Sequence, residues 1–164
     1  MSDTQITELA GCNYLISHLL KGRVEVATPL RDRGIDLIAY IDRVGEVPGF
    51  YACPIQLKAN EGARFGVDKK YEHIPNLLMV YAWHVSTETP ELYALTYSEA
   101  VALLDQRGHT KKPSWTVKGG WSLNVNDRWR KMLSPYRMQP GMWRAKILSV
   151  CDAEKLKILT LDAR

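Results

Sequence analysis

The sequence has few of the residues that build metal centres or disulfide frameworks. Its 164 residues include three cysteines, Cys12, Cys53 and Cys151, and four histidines. The cysteines are far apart and form no CxxC pair, and no HxH or HExxH pattern occurs. We therefore predict reduced, apolar cysteines and no structural zinc site.

Long apolar runs and a glycine-rich phosphate loop are also missing. No segment approaches the ~20 consecutive apolar residues that a membrane span needs. The first five residues have neither the basic nor the apolar region of a signal peptide. With 46% hydrophobic and 24% charged residues, the composition is typical of a soluble globular domain. These observations predict a cytoplasmic protein without a membrane partner and argue against a nucleotide-binding enzyme.

Acidic residues are scarce between residues 107 and 146. This stretch has ten basic residues and one acid, Asp127, so its formal charge is +9, against +4 for the whole chain. It also contains four of the five tryptophans: Trp115, Trp121, Trp129 and Trp143. Basic side chains attract phosphate and flat rings can stack on nucleobases. The tryptophans can equally be buried in a core or a subunit interface, so both interpretations stay open.

Hydrophobic periodicity predicts helices alternating with strands. The first helix is expected at 4–20, capped by Thr4 and ended by Gly22. Further helices are predicted at 97–106, 126–133 and 152–160, and strands at 23–28, 35–42, 50–58, 77–85, 91–96 and 143–150.

The segments between these elements read differently. Residues 59–76 are predicted to be a mobile loop followed by a short helix, and residues 108–125 a loop. Pro54 cannot donate to a strand ladder, so it predicts an edge or a bulge. The order of elements favours an α/β fold around one mixed sheet flanked by helices.

Two neighbouring strands carry polar residues that point to chemistry. Alternation places Asp36, Ile38 and Tyr40 on one face of one strand, and Gln56 and Lys58 on one face of the next. A short turn joins these strands, so they should be adjacent. The sequence therefore predicts that a carboxylate, an amide oxygen and an ammonium group meet at one end of the sheet.

The run Arg33-Gly34-Ile35-Asp36-Leu37-Ile38-Ala39, followed by Ile55-Gln56-Leu57-Lys58, resembles the restriction-endonuclease-like PD-(D/E)xK superfamily. The likeness is greatest to the branch of Mrr-type restriction enzymes and archaeal Holliday junction resolvases, and covers roughly residues 5–100. It implies an α/β core of order α-β-β-β-α-β with a central mixed sheet flanked by helices. We expect this core at residues 1–106 and a basic, tryptophan-rich extension packed on it at residues 107–164.

The resemblance implies roles for the matched positions. Asp36 would bind a divalent metal, magnesium or else manganese, together with Gln56 and the carbonyl of Leu57. Lys58 would hold the attacking water or stabilise charge on the phosphate. Most members have Glu or Asp where this chain has Gln56, although some active Mrr-like members carry Gln. The implied reaction is hydrolysis of phosphodiester bonds in DNA, in repair, recombination or defence.

Two more groups of residues belong to the expected site. Members of the superfamily commonly have an acid on the first helix, for which Glu8 is the candidate; another register would present Cys12 or Asn13. Residues 59–70 are either phosphate contacts or an exposed connection. The residues expected to contact nucleic acid are Arg64, Lys69, Lys70, Lys111, Lys112, Arg128, Arg130 and Lys131.

Two functions therefore remain open. The first is a metal-dependent endonuclease acting on DNA. The second is a catalytically inactive protein of the nuclease fold that binds nucleic acid or another protein, which the neutral Gln56 favours. Because cutting two strands requires two sites, the resemblance also implies a homodimer or higher homo-oligomer. The tryptophan-rich segment is a candidate interface.

Overall fold

The computed structural model describes the backbone of residues 3–31, 33–42 and 50–162, with side chains for 3–31, 33–41 and 50–152. Within these ranges no helix is long and apolar enough to cross a membrane. The helices are α1 (Thr4–Lys21), α2 (Tyr97–Gln106), α3 (Pro113–Thr116), α4 (Asp127–Leu133) and α5 (Trp143–Asp162). The strands are β1 (Glu25–Ala27), β2 (Leu37–Asp42), β3 (Phe50–Asn60), β4 (Arg64–Asp68), β5 (Leu78–Trp83), β6 (Glu91–Thr96) and β7 (Gly120–Asn124).

A five-stranded mixed sheet forms the centre of the fold. Its order is β1-β2-β3-β5-β6, with β3 parallel to β5 and the other pairs antiparallel. The middle strand, β5, buries all six of its residues, as its continuous apolar run predicts. The predicted α/β class, with a central mixed sheet flanked by helices, is confirmed.

The two faces of the sheet have separate cores. On one face, Leu15 of α1 and Trp143 of α5 pack with Val80 of β5. On the other face, Met79 and Tyr81 of the same strand pack with α2, α4 and the second sheet described below. The alternation of β5 side chains therefore supplies both cores.

The first helix lies very close to β3. A Cβ added to Gly11 would lie 2.5 Å from the Cβ of Ala59, so only glycine permits this approach. Asp3 caps the helix by accepting from the N–H of Gln5 at 3.0 Å, so the cap precedes the predicted Thr4 by one residue. Gly22 ends the helix, as predicted.

Pro54 lies in an interior strand whose register with β2 is unbroken, so the prediction of an edge or a bulge is wrong. Strand β3 pairs with β2 on one side and with β5 on the other. The Ile55 carbonyl accepts from the Asp36 N–H on the β2 side. Because backbone groups of successive residues point to opposite sides of a strand, the Pro54 nitrogen faces β5. Pairing with β5 begins one residue later, at Ile55 and Leu78. The missing N–H of Pro54 therefore leaves the ladder intact.

The predicted loops at 59–76 and 108–125 contain strands. Within them, β4 and β7 pair antiparallel as a two-stranded sheet, which we call the ribbon. Phe65 and Val67 of β4 point into the second core. Gly66 lies between them, where an added Cβ would be 2.9 Å from the Cβ of Ser122. The predicted short helix after the loop is a single 3-10 turn, Lys69–Tyr71.

The C-terminal prediction is right for α4 and wrong for the strand at 143–150. These residues begin the long helix α5. Trp143, Ile147, Val150 and Cys151 are buried at helical spacing against the first core. Helix α2 forms as predicted, with Thr96 and Glu99 making a reciprocal capping box.

The tryptophans of the basic stretch are packing residues. Trp115, Trp129 and Trp143 are 6%, 4% and 0% exposed. Trp121 is half-buried and stacks on His109, with ring centroids 3.8 Å apart. Three of the four indoles thus have almost no surface to offer to a nucleobase or to a partner subunit.

Candidate active site

Asp36 lies just before β2 and opposite Gln56, because Leu37 pairs with Ile55. Its Oδ2 accepts from Gln56 Nε2 at 2.8 Å and from the N–H of Leu57 at 2.6 Å. Its own N–H donates to the carbonyl of Ile55 at 2.8 Å. Asp36 thereby closes the β2–β3 ladder while presenting a carboxylate at its end. Strand alternation predicted this meeting of Asp36 and Gln56.

The side-chain amide of Gln56 lies between two oxygen atoms. Besides bonding Asp36, its Nε2 donates to the carbonyl of Leu57 at 3.1 Å. Both neighbours are acceptors, so the NH2 group must face them and the amide oxygen must face away. That oxygen, Oε1, is buried and has no hydrogen-bond partner among the described residues. Buried polar atoms of this kind are rare and require an explanation.

Gly34 leaves open space beside this amide oxygen. Its φ of +84° lies in the left-handed region that favours glycine. A Cβ there would lie 3.1 Å from the ring of Tyr71 and 3.8 Å from Gln56 Oε1. A side chain at position 34 would therefore crowd the Tyr71 ring and come into contact with the Gln56 amide oxygen.

Lys58 follows Gln56 on the same face of β3 and lies in a partly dry, cationic environment. Its Nζ is 5.5 Å from the ring centroid of Tyr71, and Lys70 lies over the same ring at 4.9 Å. Burial lowers the pKa of Lys58, and the charge of Lys70 lowers it further, while Asp68 and Asp36 oppose these effects. The sequence interpretation did not identify Tyr71, and a lone tyrosine after two lysines offers no pattern from which to find it.

The structure places Glu8, the favoured acid, and Cys12, the alternative, one turn apart on α1. Glu8 is exposed on α1. Burial raises the pKa of Cys12, and the charge of Asp36 raises it further. Across the described part of the chain, no three histidine, cysteine, aspartate or glutamate side chains cluster as metal ligands. The packing of Gly11 on Ala59 fixes this helix register.

The donor set of the site suits a hard divalent cation. It consists of the Asp36 carboxylate, the carbonyl of Leu57 and, once the amide turns over, Gln56 Oε1, which in the structure faces away from the other two. All three are oxygen atoms, which magnesium and manganese prefer. Together they carry a single negative charge, so we expect weaker binding than at a site with two carboxylates.

Three of the predicted nucleic-acid contacts surround the ribbon. Arg64 is exposed and donates to Ser122 Oγ at 3.2 Å. Lys70 is exposed, with Nζ 3.9 Å from Asp68, and Lys69 Nζ lies 5.3 Å from the ring centroid of Trp115. A groove beside them connects the ribbon with Lys58. Its lining residues are Lys58, Gly66, Val67, Asp68, Ser114, Gly120, Trp121 and Ser122.

The other predicted contacts lie in the basic stretch. Lys111, Lys112, Arg128 and Lys131 are exposed. Arg130 differs from them, because it donates to Glu91 at 2.8 Å, and Arg137 lies 3.2 Å from the same carboxylate. Burial alone would raise the pKa of Glu91, but the two arginines hold it below its ordinary value. Arg130 therefore links α4 to β6.

Comparison with known proteins supports the fold. No family model matches the chain, and no curated protein sequence matches it. Among solved structures, it is similar to the bacterial homing endonuclease I-Ssp6803I, with a TM-score of 0.52 and 15% sequence identity. The match covers 95% of this chain and 99% of the other. This similarity shows a nuclease-like fold over nearly the whole chain.

Proposed function

We propose that this protein is a divalent-metal-dependent endonuclease of the PD-(D/E)xK type, similar to the Mrr and archaeal resolvase branch, that hydrolyses phosphodiester bonds in DNA. The observation that carries the proposal is the arrangement at the end of the β2–β3 ladder. There, Asp36 meets Gln56, whose buried amide oxygen lacks a partner among the described residues, and Lys58 follows on the same face. The nuclease-like fold of I-Ssp6803I supports it.

Three oxygen donors would hold the cation. They are the Asp36 carboxylate, Gln56 Oε1 and the carbonyl of Leu57, and the cation is magnesium or manganese. When bound, such a cation lowers the pKa of a water molecule and neutralises charge that develops on phosphate. In the structure the Gln56 NH2 group lies between the other two donors. Loading the site therefore requires its two hydrogen bonds to break.

Lys58 provides the positive charge that the reacting phosphate needs. Its ammonium group donates to a phosphate oxygen or to the attacking water, and it opposes the negative charge that builds up during attack. Burial holds its side chain in place beside Tyr71 and makes its charge more effective than it would be in bulk water.

The ribbon and its basic border form the proposed DNA surface. Arg64, Lys69 and Lys70 contact the phosphate backbone, and the two paired strands face the major groove of the DNA. That groove is wide enough to admit a two-stranded ribbon. Strand β4 belongs to the proposed core, residues 1–106, and β7 to the extension, residues 107–164. Both parts therefore contribute to the surface. Lys111, Lys112, Arg128 and Lys131 extend it, whereas Arg130 supports it through Glu91.

Calorimetric titration with Mn²⁺ and Mg²⁺ tests the metal site. We compare the wild type with Asp36→Asn, whose amide oxygen can still accept from Leu57, and with Asp152→Asn, which removes an exposed carboxylate elsewhere. Binding should be lost in Asp36→Asn and retained in Asp152→Asn. The same variants are then assayed on branched, nicked and linear DNA. Cleavage by Asp36→Asn at the wild-type rate would exclude the assignment.

The second candidate function is a nuclease-fold protein that binds nucleic acid without cutting it. The single carboxylate of the donor set favours it. In that case duplex DNA binding is salt-sensitive, does not depend on metal and is unchanged in Asp36→Asn.

A further inference from the structure

Two lysine side chains lie over the same buried aromatic ring. The ring belongs to Tyr71, which is 4% exposed and packs in the second core. Lys58 Nζ lies 5.5 Å from the ring centroid and Lys70 Nζ lies 4.9 Å from it. Lys58 comes from β3 of the central sheet, whereas Lys70 comes from the 3-10 turn that follows β4. The ring therefore brings together two cations from separate parts of the fold.

The 3-10 turn that carries Lys70 is held in place by hydrogen bonds. Asp68 caps it by accepting from the N–H of Lys70 at 2.9 Å, and the N–H of Lys69 donates to the carbonyl of Gly119 at 2.7 Å. Lys69, one residue earlier, lies over a different aromatic ring. The turn thus directs its two lysines to separate rings and sends Lys70 to Tyr71.

The Tyr71 ring also borders the candidate metal site. A Cβ added to Gly34 would lie 3.1 Å from the ring and 3.8 Å from Gln56 Oε1. The ring, and with it both ammonium groups, therefore lies beside the end of the β2–β3 ladder. A phosphate group held between the two lysines would be close to the proposed reaction centre.

The charges around the ring leave a positive excess. They are three cations and two carboxylates: Lys58, Lys70, Arg64, Asp36 and Asp68. Asp68 offsets Lys70 only in part, because its Oδ2 lies 3.9 Å from Nζ and its other oxygen caps the turn. The neutral ring attracts each ammonium group but does not reduce the repulsion between them. A phosphate group does reduce it, since each of its two free oxygens can accept from one ammonium group.

We propose that Lys58 and Lys70 form a phosphate-binding pair on the Tyr71 ring and that this pair receives the phosphate group that is cleaved. Lys70 is then a second catalytic residue beside Lys58, and Tyr71 is a positioning residue for both. The identity of the bound phosphate rests on the proposed endonuclease activity, whereas the pair itself does not.

Nuclear magnetic resonance of protein with isotope-labelled lysine tests the pair without DNA or metal. When inorganic phosphate is added at constant ionic strength, the Cε signals of Lys58 and Lys70 should shift along one binding curve. Lys70→Met should weaken the affinity that the Lys58 signal reports by ~10-fold, because one of two charge-assisted hydrogen bonds is lost. Lys118→Met, which removes an exposed lysine next to β7, should leave both shifts unchanged. No shift, separate curves for the two lysines, or equal effects of the two substitutions would overturn the proposal.

Substitutions of Tyr71 test the role of the ring. Tyr71→Phe keeps the ring, so the ring-current shifts of both lysine side chains and the affinity for phosphate should stay close to those of the wild type. Tyr71→Leu should abolish these ring-current shifts and weaken phosphate binding by ~10-fold, because two cation–π contacts are lost. Ring-current shifts that survive in Tyr71→Leu would exclude the ring as the platform. Lys70→Met changes an exposed side chain, so it tests the pair even if Tyr71→Leu does not fold.

Cleavage kinetics distinguish the pair from an ordinary contact to the DNA backbone. Lys70→Met should lower kcat at saturating DNA by at least ~10-fold, because charge that builds up in the transition state loses a donor. A higher KM with unchanged kcat would show that Lys70 only binds DNA and would overturn its catalytic role. Cleavage by a wild type whose lysine signals do not respond to phosphate would overturn the pair and leave the endonuclease. A phosphate response in a protein that does not cleave DNA would overturn the endonuclease and leave the pair.

Discussion

Gln56 carries the neutral amide that lies against the Asp36 carboxylate at the proposed metal site. Replacing it by Glu places a second carboxylate against Asp36, whose Oδ2 lies 2.8 Å from Gln56 Nε2 in the wild type. Like charges at this distance raise the pKa of one carboxyl group. We expect Gln56→Glu to lower the free energy of unfolding by ~1–3 kcal/mol at pH 7.

The pH dependence of this loss follows from linkage. A carboxyl group whose pKa is raised by folding stabilises the fold at low pH and loses that stabilisation as pH rises through the raised value. Thermal unfolding of Gln56→Glu should therefore approach the wild type at acid pH and fall below it at neutral pH. Added Mn²⁺ should reverse the deficit. Gln56→Met, which adds no charge, should show neither the pH dependence nor the rescue.

Lys58 is predicted to increase the rate of cleavage but not the free energy of unfolding. Lys58→Met keeps the apolar stem and removes the charge, so the free energy of unfolding at pH 7 should stay the same or increase. Metal-dependent cleavage should fall by at least ~10²-fold, the typical loss when one preorganised donor is removed. Urea unfolding and a cleavage assay on the same protein sample check both expectations.

The difference in free energy of unfolding between the wild type and Lys58→Met should depend on pH. Because the pKa of Lys58 is lowered from its ordinary 10.5, the unfolded chain keeps this proton at pH values where the folded chain loses it. The wild type should therefore gain stability relative to Lys58→Met as pH rises towards 10.5. A difference that stays constant over this range would contradict the burial of the ammonium group.

At this scale the sequence predicts the strand part of the site well. The two-residue period of strands places Asp36 opposite Gln56 once the antiparallel pairing is assumed, and the structure has this pairing. It does not predict which α1 side chain faces Asp36. That choice depends on how far the helix slides along β3, which the contact of Gly11 with Ala59 decides.

Among the elements, the contact between α1 and β3 reverses the usual effect of a glycine-to-alanine substitution on helix stability. Alanine normally stabilises a helix interior by ~1 kcal/mol relative to glycine. Gly11→Ala should instead destabilise the protein by ~1–3 kcal/mol, the typical cost of overpacking, because its Cβ would lie 2.5 Å from Ala59 Cβ. Urea unfolding measures the change.

Gly62→Ala is the matched control for this substitution. A Cβ added there would meet no atom of the described chain within 4 Å. Its free energy of unfolding should change by less than ~0.5 kcal/mol, as for most surface substitutions. Equal effects of the two substitutions would mean that glycine flexibility, and not close packing, matters at position 11.

The strands and the helix that the sequence analysis did not predict were missed for different physical reasons. Strands β4 and β7 are short, and each gains its partner from a segment distant in the chain, so local periodicity carries little signal for either. Helix α5 is different, because Trp143, Ile147, Val150 and Cys151 recur at helical spacing. That spacing already favours a helix over the predicted strand.

For the whole molecule, DNA binding should depend on salt in proportion to the phosphate contacts made by the ribbon. Each contact contributes a slope of about −0.9 in the logarithm of affinity against the logarithm of salt concentration. The triple variant Arg64→Ala, Lys69→Ala, Lys70→Ala should therefore reduce the slope by ~2–3. Fluorescence anisotropy with a labelled duplex measures it.

Lys21→Ala provides the control for this measurement. Lys21 is exposed at the end of α1 and is not one of the proposed nucleic-acid contacts. It carries the same charge as the ribbon lysines, so its replacement lowers net charge without removing a proposed contact. If Lys21→Ala reduced the salt-dependence slope as much as Lys70→Ala alone, DNA binding would follow net charge and not the ribbon.

The hydrogen bond from the Leu57 N–H to Asp36 has a consequence for how this protein can diverge. A relative without the proposed cleavage activity still needs an acceptor for this amide at the end of the β2–β3 ladder, so selection for folding alone retains Asp36. Lys58 lies over the Tyr71 ring but makes no such bond to the backbone of the described residues, and burial disfavours its charge. Lysine at position 58, and not aspartate at position 36, should therefore mark which relatives have kept catalysis.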